Sequence, residues 1–350
     1  MSQPGDRTAY DDGPVAALRR IAFLLERGRE DTYKVKAFRG AAAAILPLSE
    51  EDVEAAVEDG SLTDLPGVGA SSARVIADAV RGVLPERLAA LEREHGGALT
   101  SGGHDLRAAL RGDLHSHSDW SDGGSPIEEM AFTAIELGHD YLVLTDHSPR
   151  LTVAHGLSLE RLTRQLGVVA AVNQHLAGAG FTLLTGIEVD ILDDGGLDQD
   201  DDLLARLDVR VASVHSKLKM EPAAMTRRMV AAVRNPRTNV LGHCTGRLVT
   251  GGRGRRPSSE FDARAVFEAC AEHDVAVEIN SRPERRDPPT ALLELARDTG
   301  CLFSIDSDAH APGQLDFLVY GCERAEQAGI DADRIVNTWP QERLLAWANR

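Results

Sequence analysis

The run RGDLHSHSDWSDG (residues 111–123) sets His115 and His117 one residue apart and follows them with Ser121, Asp122 and Gly123. It is too polar for a core and too rich in particular side chains for an ordinary linker. Histidines and carboxylates recur further on, each time just past a short apolar run. His147 follows YLVLT with Asp146 before it, Glu188 and Asp190 follow FTLLT, and His215 follows VASV. His243 follows NVLG, and Asp308 and His310 follow LFSID. A lone histidine is more often a satisfied surface or core residue than a ligand. His95, His104, His139, His175 and His273, on helices, in a linker or at helix ends, fit that reading. The others differ because they recur at one topological position. Imidazole and carboxylate together suit zinc, manganese or iron better than magnesium or calcium. A carboxylate can bridge two cations, so Glu188, in the middle of the series, is the residue expected to tie a cluster together.

A particular fold is needed to gather such a ring. Apolar runs at 141–145, 181–185, 209–214, 239–242, 275–279 and 302–305, with GDL (112–114) opening the series, alternate with helical stretches. Those stretches fall at 126–138, 158–177, 222–234, 262–273 and 289–299. Alternating strands and helices imply a parallel sheet. About seven such units in one domain imply a closed (β/α) barrel, whose strand ends meet at the C-terminal mouth. Side chains alternate along a strand, so His115 and His117 are expected to point the same way and grip one cation, and Asp308 and His310 to do likewise.

Residues 1–96 read instead as helices. GPVAALRRIAFLLERG and TYKVKAFRGAAAAIL have helical spacing. LTDLPGVGASSARVIADAV reads as two helices about a Pro66-Gly67-Val68-Gly69 turn, and PERLAALEREHG runs from Pro85 to a stop at Gly96. GGALTSGGHD reads as a flexible connection. The expected organisation is a helical domain at 1–96, a linker at 97–110 and the barrel at 111–350.

The 350 residues are enough for one large and one small core. A net charge of −17 repels nucleic acid and anionic lipid, so phosphate binding needs a local basic patch or bound cations. No charged-then-apolar leader follows Met1 and no apolar run is long enough to span a bilayer. Cys244, Cys270, Cys301 and Cys322 form no C-x-x-C pair and are expected to be buried free thiols in a reducing compartment. Together these point to a cytoplasmic protein with no membrane partner.

DLHSHSDWSDG, LTDHS, GIEVDI, SVHS, GHCTGR, EINSRP and SDAH resemble the successive motifs of the polymerase and histidinol phosphatase (PHP) superfamily, over residues 111–325. The resemblance implies a distorted (β/α)7 barrel, phosphoester hydrolysis and three divalent metal ions, zinc, manganese or iron. Carried over motif by motif, His115, His117, Glu188 and Asp308 would hold one metal. Glu188, His215 and His243 would hold a second, and Asp122, His147 and His310 the third. TDHSPRLTVAHGLS, SVHSKL, GHCTGRLV and EINSRPERRDPP are more similar still to the PHP domain of bacterial family X DNA polymerases. DTYKVKAFRGAAAAI and LTDLPGVGASSARVI resemble their small helix-hairpin-helix domain, which implies DNA contacts from Gly67, Gly69, Lys34, Lys36 and Arg39. Only a short linker stands where those enzymes carry palm and fingers, so no polymerase activity is expected. Ala70 stands where a lysine is common, and Val75 falls near the Schiff-base lysine of some relatives, so deoxyribose-phosphate lyase chemistry is not expected either.

Several further residues are candidates around the metals. Lys217, Arg247, Arg282 and GGRGRR (251–256) are candidates for holding phosphate, Asp146 and Asp190 for orienting ligands, and Asn280 for orienting substrate or water. Three functions follow: a 3′-5′ exonuclease or 3′-end-processing enzyme of DNA repair, a phosphatase of a small phosphorylated metabolite, or a non-catalytic DNA- or protein-binding module.

Overall fold

A computed structural model describes residues 9–251 and 254–350. Two compact units divide between Ala98 and Leu99.

The first unit is helical: α1 (Gly13–Arg27), α2 (Thr32–Ile45), α3 (Glu50–Glu58), α4 (Ala70–Val80) and α5 (Glu86–His95). Helix α1 is its axis, with Leu18, Ile21, Leu24 and Leu25 fully buried against α2, α4 and α5. Asp31 caps α2 by accepting from Tyr33 N, and Ser49 caps α3 by accepting from Asp52 N. The expected helix before the hairpin shrinks to one 3-10 turn, Leu62–Asp64, because Leu65 precedes Pro66 and is extended (ψ 126°). The hairpin turn lies close to α2. Gly67 has φ +90°, and a Cβ there would stand 3.3 Å from the carbonyl oxygen of Gly40.

The second unit begins with α6 (His104–Ala109). The stretch expected as a free linker is therefore folded from Leu99 onward. Its N–H groups are held: Ser101 and Gly102 donate to the Glu323 carboxylate, and Gly103 donates to Glu326 at 2.7 Å. Seven strands follow in sequence order as one parallel sheet: β1 (Gly112–Ser116), β2 (Tyr141–Leu144), β3 (Thr182–Asp190), β4 (Val209–Ser213), β5 (Val240–Leu241), β6 (Ala276–Asn280) and β7 (Phe303–Asp306). Around them run α7 (Ile127–Glu136), α8 (Leu159–His175), α9 (Asp201–Leu204), α10 (Pro222–Val233), α11 (Ala263–Glu272), α12 (Thr290–Thr299), α13 (Leu318–Gln327) and α14 (Gln341–Ala348). This is the expected (β/α)7 architecture.

The barrel is distorted in two places. Strand β3 pairs through Thr182–Thr185 with β2 and through Gly186–Asp190 with β4, so it slides along its neighbours. Between β1 and β7 there is no ladder. One bridge (Ser116 to Ala309) and polar side chains close that seam: Leu114 N donates to Asp306, and Ser307 N to Asp113.

Period two along the strands sorts the barrel into layers. Tyr141 and Val143 lead to Thr145 and His147; Val209 and Val211 lead to Ser213 and His215; Ala276 leads to Glu278 and Asn280. The apolar members form a floor with Leu184 and Val240, closed from below by Trp339, Leu344 and Trp347. The polar members stand above it at the C-terminal mouth. A second apolar layer between strands and helices, including Ile187, Met225, Met229, Phe267, Ile279 and Phe303, holds the strands in place.

Candidate metal centre

Glu188, 1 % exposed at the end of β3, is the hub. Its Oε2 faces His115 Nε2 (3.3 Å), His117 Nε2 (3.5 Å) and His147 Nδ1 (2.9 Å). Its Oε1 faces His215 Nε2 (3.1 Å) and His243 Nε2 (2.8 Å). His117 Nε2 also stands 3.5 Å from Asp308 Oδ1. On the outer side, Asp122 Oδ1 lies 3.4 Å from both His147 Nε2 and His310 Nε2. Three clusters of donor atoms result at this mouth: His115, His117 and Glu188; His147, Glu188 and His215; His117, Asp122, His147 and His310. The structure thus brings all nine expected ligand residues to one mouth, although His147 reaches toward both Glu188 and Asp122.

The donor set fits divalent cations. His115 Nε2, both ring nitrogens of His117 and Asp122 Oδ1 are buried with no hydrogen-bond partner. Each such orphan costs about 1–3 kcal/mol, and a cation among them would satisfy several at once. Six imidazoles with three carboxylates within reach suit zinc, manganese or iron.

Outer partners set the tautomers. Glu278 Oε1 stands 2.5 Å from His115 Nδ1 and accepts its N–H, which leaves the Nε2 lone pair facing Glu188. Asp190 does the same for His215 Nδ1. His310 Nδ1 lies 2.9 Å from both the carbonyl oxygen of Asp308 and Arg282 Nη1. Asp308 itself sits at φ +51°, an uncommon conformation for an aspartate. Asn280 Nδ2 (3.1 Å) and Arg285 Nε (3.0 Å) hold its carboxylate there.

Burial works against charge at these groups, and their neighbours decide the outcome. Burial of Glu188 is overcome by His215, His115 and His147, which hold its carboxyl well below the usual range. Burial of His115 is overcome by Glu188 and Glu278, which raise it well above an ordinary imidazole. At His117 burial is reinforced by His310 and His147, and the ring is strongly lowered. His147, against its burial, is pushed up to about 10 by Glu188 and Asp122. Protons and cations therefore compete for the same nitrogens.

Of the other expected residues, Asp146 is buried below the loop rather than among the metal ligands. It accepts from Ser118 N (2.8 Å), Ser118 Oγ (2.6 Å), Ser121 Oγ (2.5 Å) and Gln165 Nε2 (2.6 Å), so it fixes the loop that carries Asp122. Asn280 is buried and donates to Glu278 and Asp308. Lys217 is exposed and ion-paired with Asp193, away from the cavity lining. Arg247 donates to the carbonyl oxygens of Arg285 and Arg286, and it too is absent from that lining. Both were expected to hold phosphate. Their reach is spent on neighbours that lie far off in the sequence. The cavity over the cluster, about 540 Å³, is lined instead by Arg256, Arg282 and Arg285. Arg282 and Arg256 belong to the expected set, while part of GGRGRR lies outside the described residues.

Sequence reasoning passed over Glu278 and Arg285. Glu278 sits inside the apolar run VAVEI, and a charge in the middle of a buried strand was the signal available. In the first unit, Lys34 and Lys36 are exposed, Lys34 pairing with Glu30 at 2.7 Å. Arg39 is not a free DNA contact: its guanidinium pairs with buried Glu26 at 2.9 Å, a partner on the preceding helix. Gly69 N donates to Ser72 Oγ at 3.0 Å, which fixes the turn into α4. All four cysteines are buried free thiols. Among the described residues no helix is long and apolar enough to cross a membrane.

Comparison with known proteins places these features. Residues 113–282 match the PHP domain family, and residues 13–82 match a helix-hairpin-helix domain family. A DNA polymerase/3′-5′ exonuclease PolX of Bacillus subtilis is 38% identical over 241 residues, covering 69% of this chain and 41% of the relative. The chain therefore spans about two-fifths of that protein's length. A probable phosphatase of Thermoanaerobacter sp. is 26% identical over 238 residues, covering 65% of this chain and 89% of the relative. A crystal structure of a histidinol phosphate phosphatase from Lactococcus lactis, complexed with zinc, L-histidinol and phosphate, superposes with a TM-score of 0.46 at 17% identity, covering 63% of this chain and 95% of that one.

Proposed function

The chain carries a PHP domain behind a helix-hairpin-helix domain, and from that premise we propose that it is a metal-dependent phosphoesterase acting on DNA, a 3′-5′ exonuclease or 3′-end-processing enzyme of DNA repair. The observation that carries the hydrolytic reading is Glu188, whose two oxygens each face a separate group of imidazoles. His115, His117, Glu188 and Asp308 would hold one cation, Glu188, His215 and His243 a second, and Asp122, His147 and His310 a third. When bound, such cations supply Lewis-acid stabilisation of phosphoryl oxygens and a water made acidic near neutral pH.

The chain's own residues do the rest. Glu278 and Asp190 fix the tautomers of His115 and His215. Arg282 and Arg256 line the cavity and supply positive charge for a phosphate in a chain of net charge −17. Arg285 is committed to Asp308 and keeps that carboxylate ionised. The exposed Lys34 and Lys36 and the Gly67–Gly69 turn support contact with a DNA backbone. Residues 83–112, all that separates the two matched domains, leave no space for a nucleotidyl-transfer domain, so no polymerisation is proposed.

A second reading, a phosphatase of small phosphorylated metabolites, is favoured by the probable phosphatase that this chain matches over 89% of its length. The hydrolytic claim common to both is tested with bis(p-nitrophenyl) phosphate and p-nitrophenyl phosphate in Mn²⁺. His115→Ala is expected to abolish turnover of whichever substrate the wild type accepts. Retained turnover in the folded variant would contradict the ligand assignment.

A further inference from the structure

The cavity over the metal centre has an apolar lip that the hydrolytic machinery does not use. The loop between β2 and α8 contributes Leu151, Val153 and Ala154 to its lining. Val153 is 86% exposed and Leu151 is half-buried, although both belong to a segment tied down on several sides. Leu157 N donates to the carbonyl oxygen of His147 at 2.7 Å, and Arg150 N to Asp198 at 2.7 Å. Arg161 donates to the carbonyl oxygens of His155 (2.5 Å) and Trp120. Gly156 packs so closely on Ser148 that a Cβ would stand 1.9 Å from its carbonyl oxygen. The lip is therefore held in position beside His147 and the loop that carries Asp122, with its apolar side chain turned to water.

We propose that Val153 and Leu151 form a platform for the base of the terminal nucleotide, so that this loop sets which strand ends are cleaved efficiently. The proposal rests on the DNA reading above. A cavity of about 540 Å³ is far larger than a phosphate needs and falls in the range of small-molecule pockets. A phosphate alone, drawn to the cations and arginines, would leave the apolar lip bare. A nucleotide carries both an anionic ester and a flat, weakly polar ring. An amino-alcohol phosphate has no flat, weakly polar ring with which to cover the lip.

The test compares single-stranded oligonucleotides that end in a normal 3′ nucleotide or in a 3′ abasic residue, using wild type, Val153→Ser and Val153→Leu in Mn²⁺, with histidinol phosphate alongside. The wild type is expected to favour the base-bearing end in kcat/KM by roughly tenfold, the lower end of what one apolar contact gives in a specificity pocket. Val153→Ser is expected to collapse that ratio through KM, and Val153→Leu to retain it. A wild type that treats both ends alike, or a ratio unchanged in Val153→Ser, would overturn the platform while leaving the nuclease reading intact. A wild type that hydrolyses histidinol phosphate and leaves both oligonucleotides whole would overturn the nuclease reading and the platform with it.

Discussion

Replacing Glu278 by glutamine should weaken cation binding without unfolding the barrel. The carboxylate is fully buried and serves three donors: His115 Nδ1 at 2.5 Å, the backbone N–H of His243, and Asn280 Nδ2 at 3.2 Å. One oxygen takes the first, and the other takes the remaining two. A glutamine has the same shape but only one acceptor oxygen. Whichever way its amide turns, its NH2 faces at least one donor. The penalty for a buried donor left without an acceptor is about 1–3 kcal/mol. If the amide swings its NH2 toward His115, the ring loses the partner that presents its Nε2 lone pair. Loss of such an orienting partner lowers metal affinity or activity by roughly 10–100-fold. The assay is titration of chelator-stripped protein with Mn²⁺ or Zn²⁺, followed by calorimetry and by recovery of hydrolysis, with circular dichroism to show that the variant is folded. The expected result is a higher cation concentration at half-saturation, with activity regained in excess metal. An unchanged titration in a folded variant would refute the argument that Glu278 sets the His115 tautomer.

Further outcomes follow from other parts of the chain. Burial, and to a lesser degree Arg107, lowers the imidazole of His139 from 6.5 to about 3. A depressed pKa gives stability that is present above pH 6.5 and lost as pH falls toward about 3. His139→Asn should flatten that part of the acid unfolding curve relative to wild type, measured by thermal melts across the window. Arg39→Ala removes the 2.9 Å ion pair from buried Glu26, and breaking a buried pair costs up to about 3–5 kcal/mol; a lower melting temperature of the helical unit is expected. Lys36→Ala should leave that melting temperature unchanged and reduce the slope of log affinity for DNA against log salt by about 0.9. Gly156→Ala, with its Cβ pressed on Ser148, should displace the loop beside His147 and lower hydrolysis, read as kcat/KM at saturating Mn²⁺.

The barrel was legible because each strand is a short apolar run with its polar residues concentrated at one end. YLVLTDH and VRVASVH carry the floor, the wall and the mouth in order. Helix α3 was passed over because it buries only Val53 and five of its nine residues are acidic, so helical spacing gave little contrast. The stretch after Gly96 looked flexible by composition, yet carboxylates from more than two hundred positions later, Glu323 and Glu326, order its backbone. Histidines and carboxylates at strand ends could be gathered on one face from topology alone. Long cationic side chains could not, since Lys217, Arg247 and Arg39 are claimed by partners that only the folded chain brings near. Glu278 was hidden for the opposite reason: it lies on a strand whose neighbours are all apolar, and its partner His115 is on another strand.

The central claim is that the clustered imidazoles and carboxylates serve hydrolysis at DNA 3′ ends. The most direct measurement is a digest of 3′-labelled and 5′-labelled single-stranded and gapped DNA in Mn²⁺, beside histidinol phosphate, with wild type and Asp308→Ala. Stepwise shortening from the 3′ end, lost in Asp308→Ala, is the predicted result. Intact DNA together with phosphate release from histidinol phosphate would contradict it.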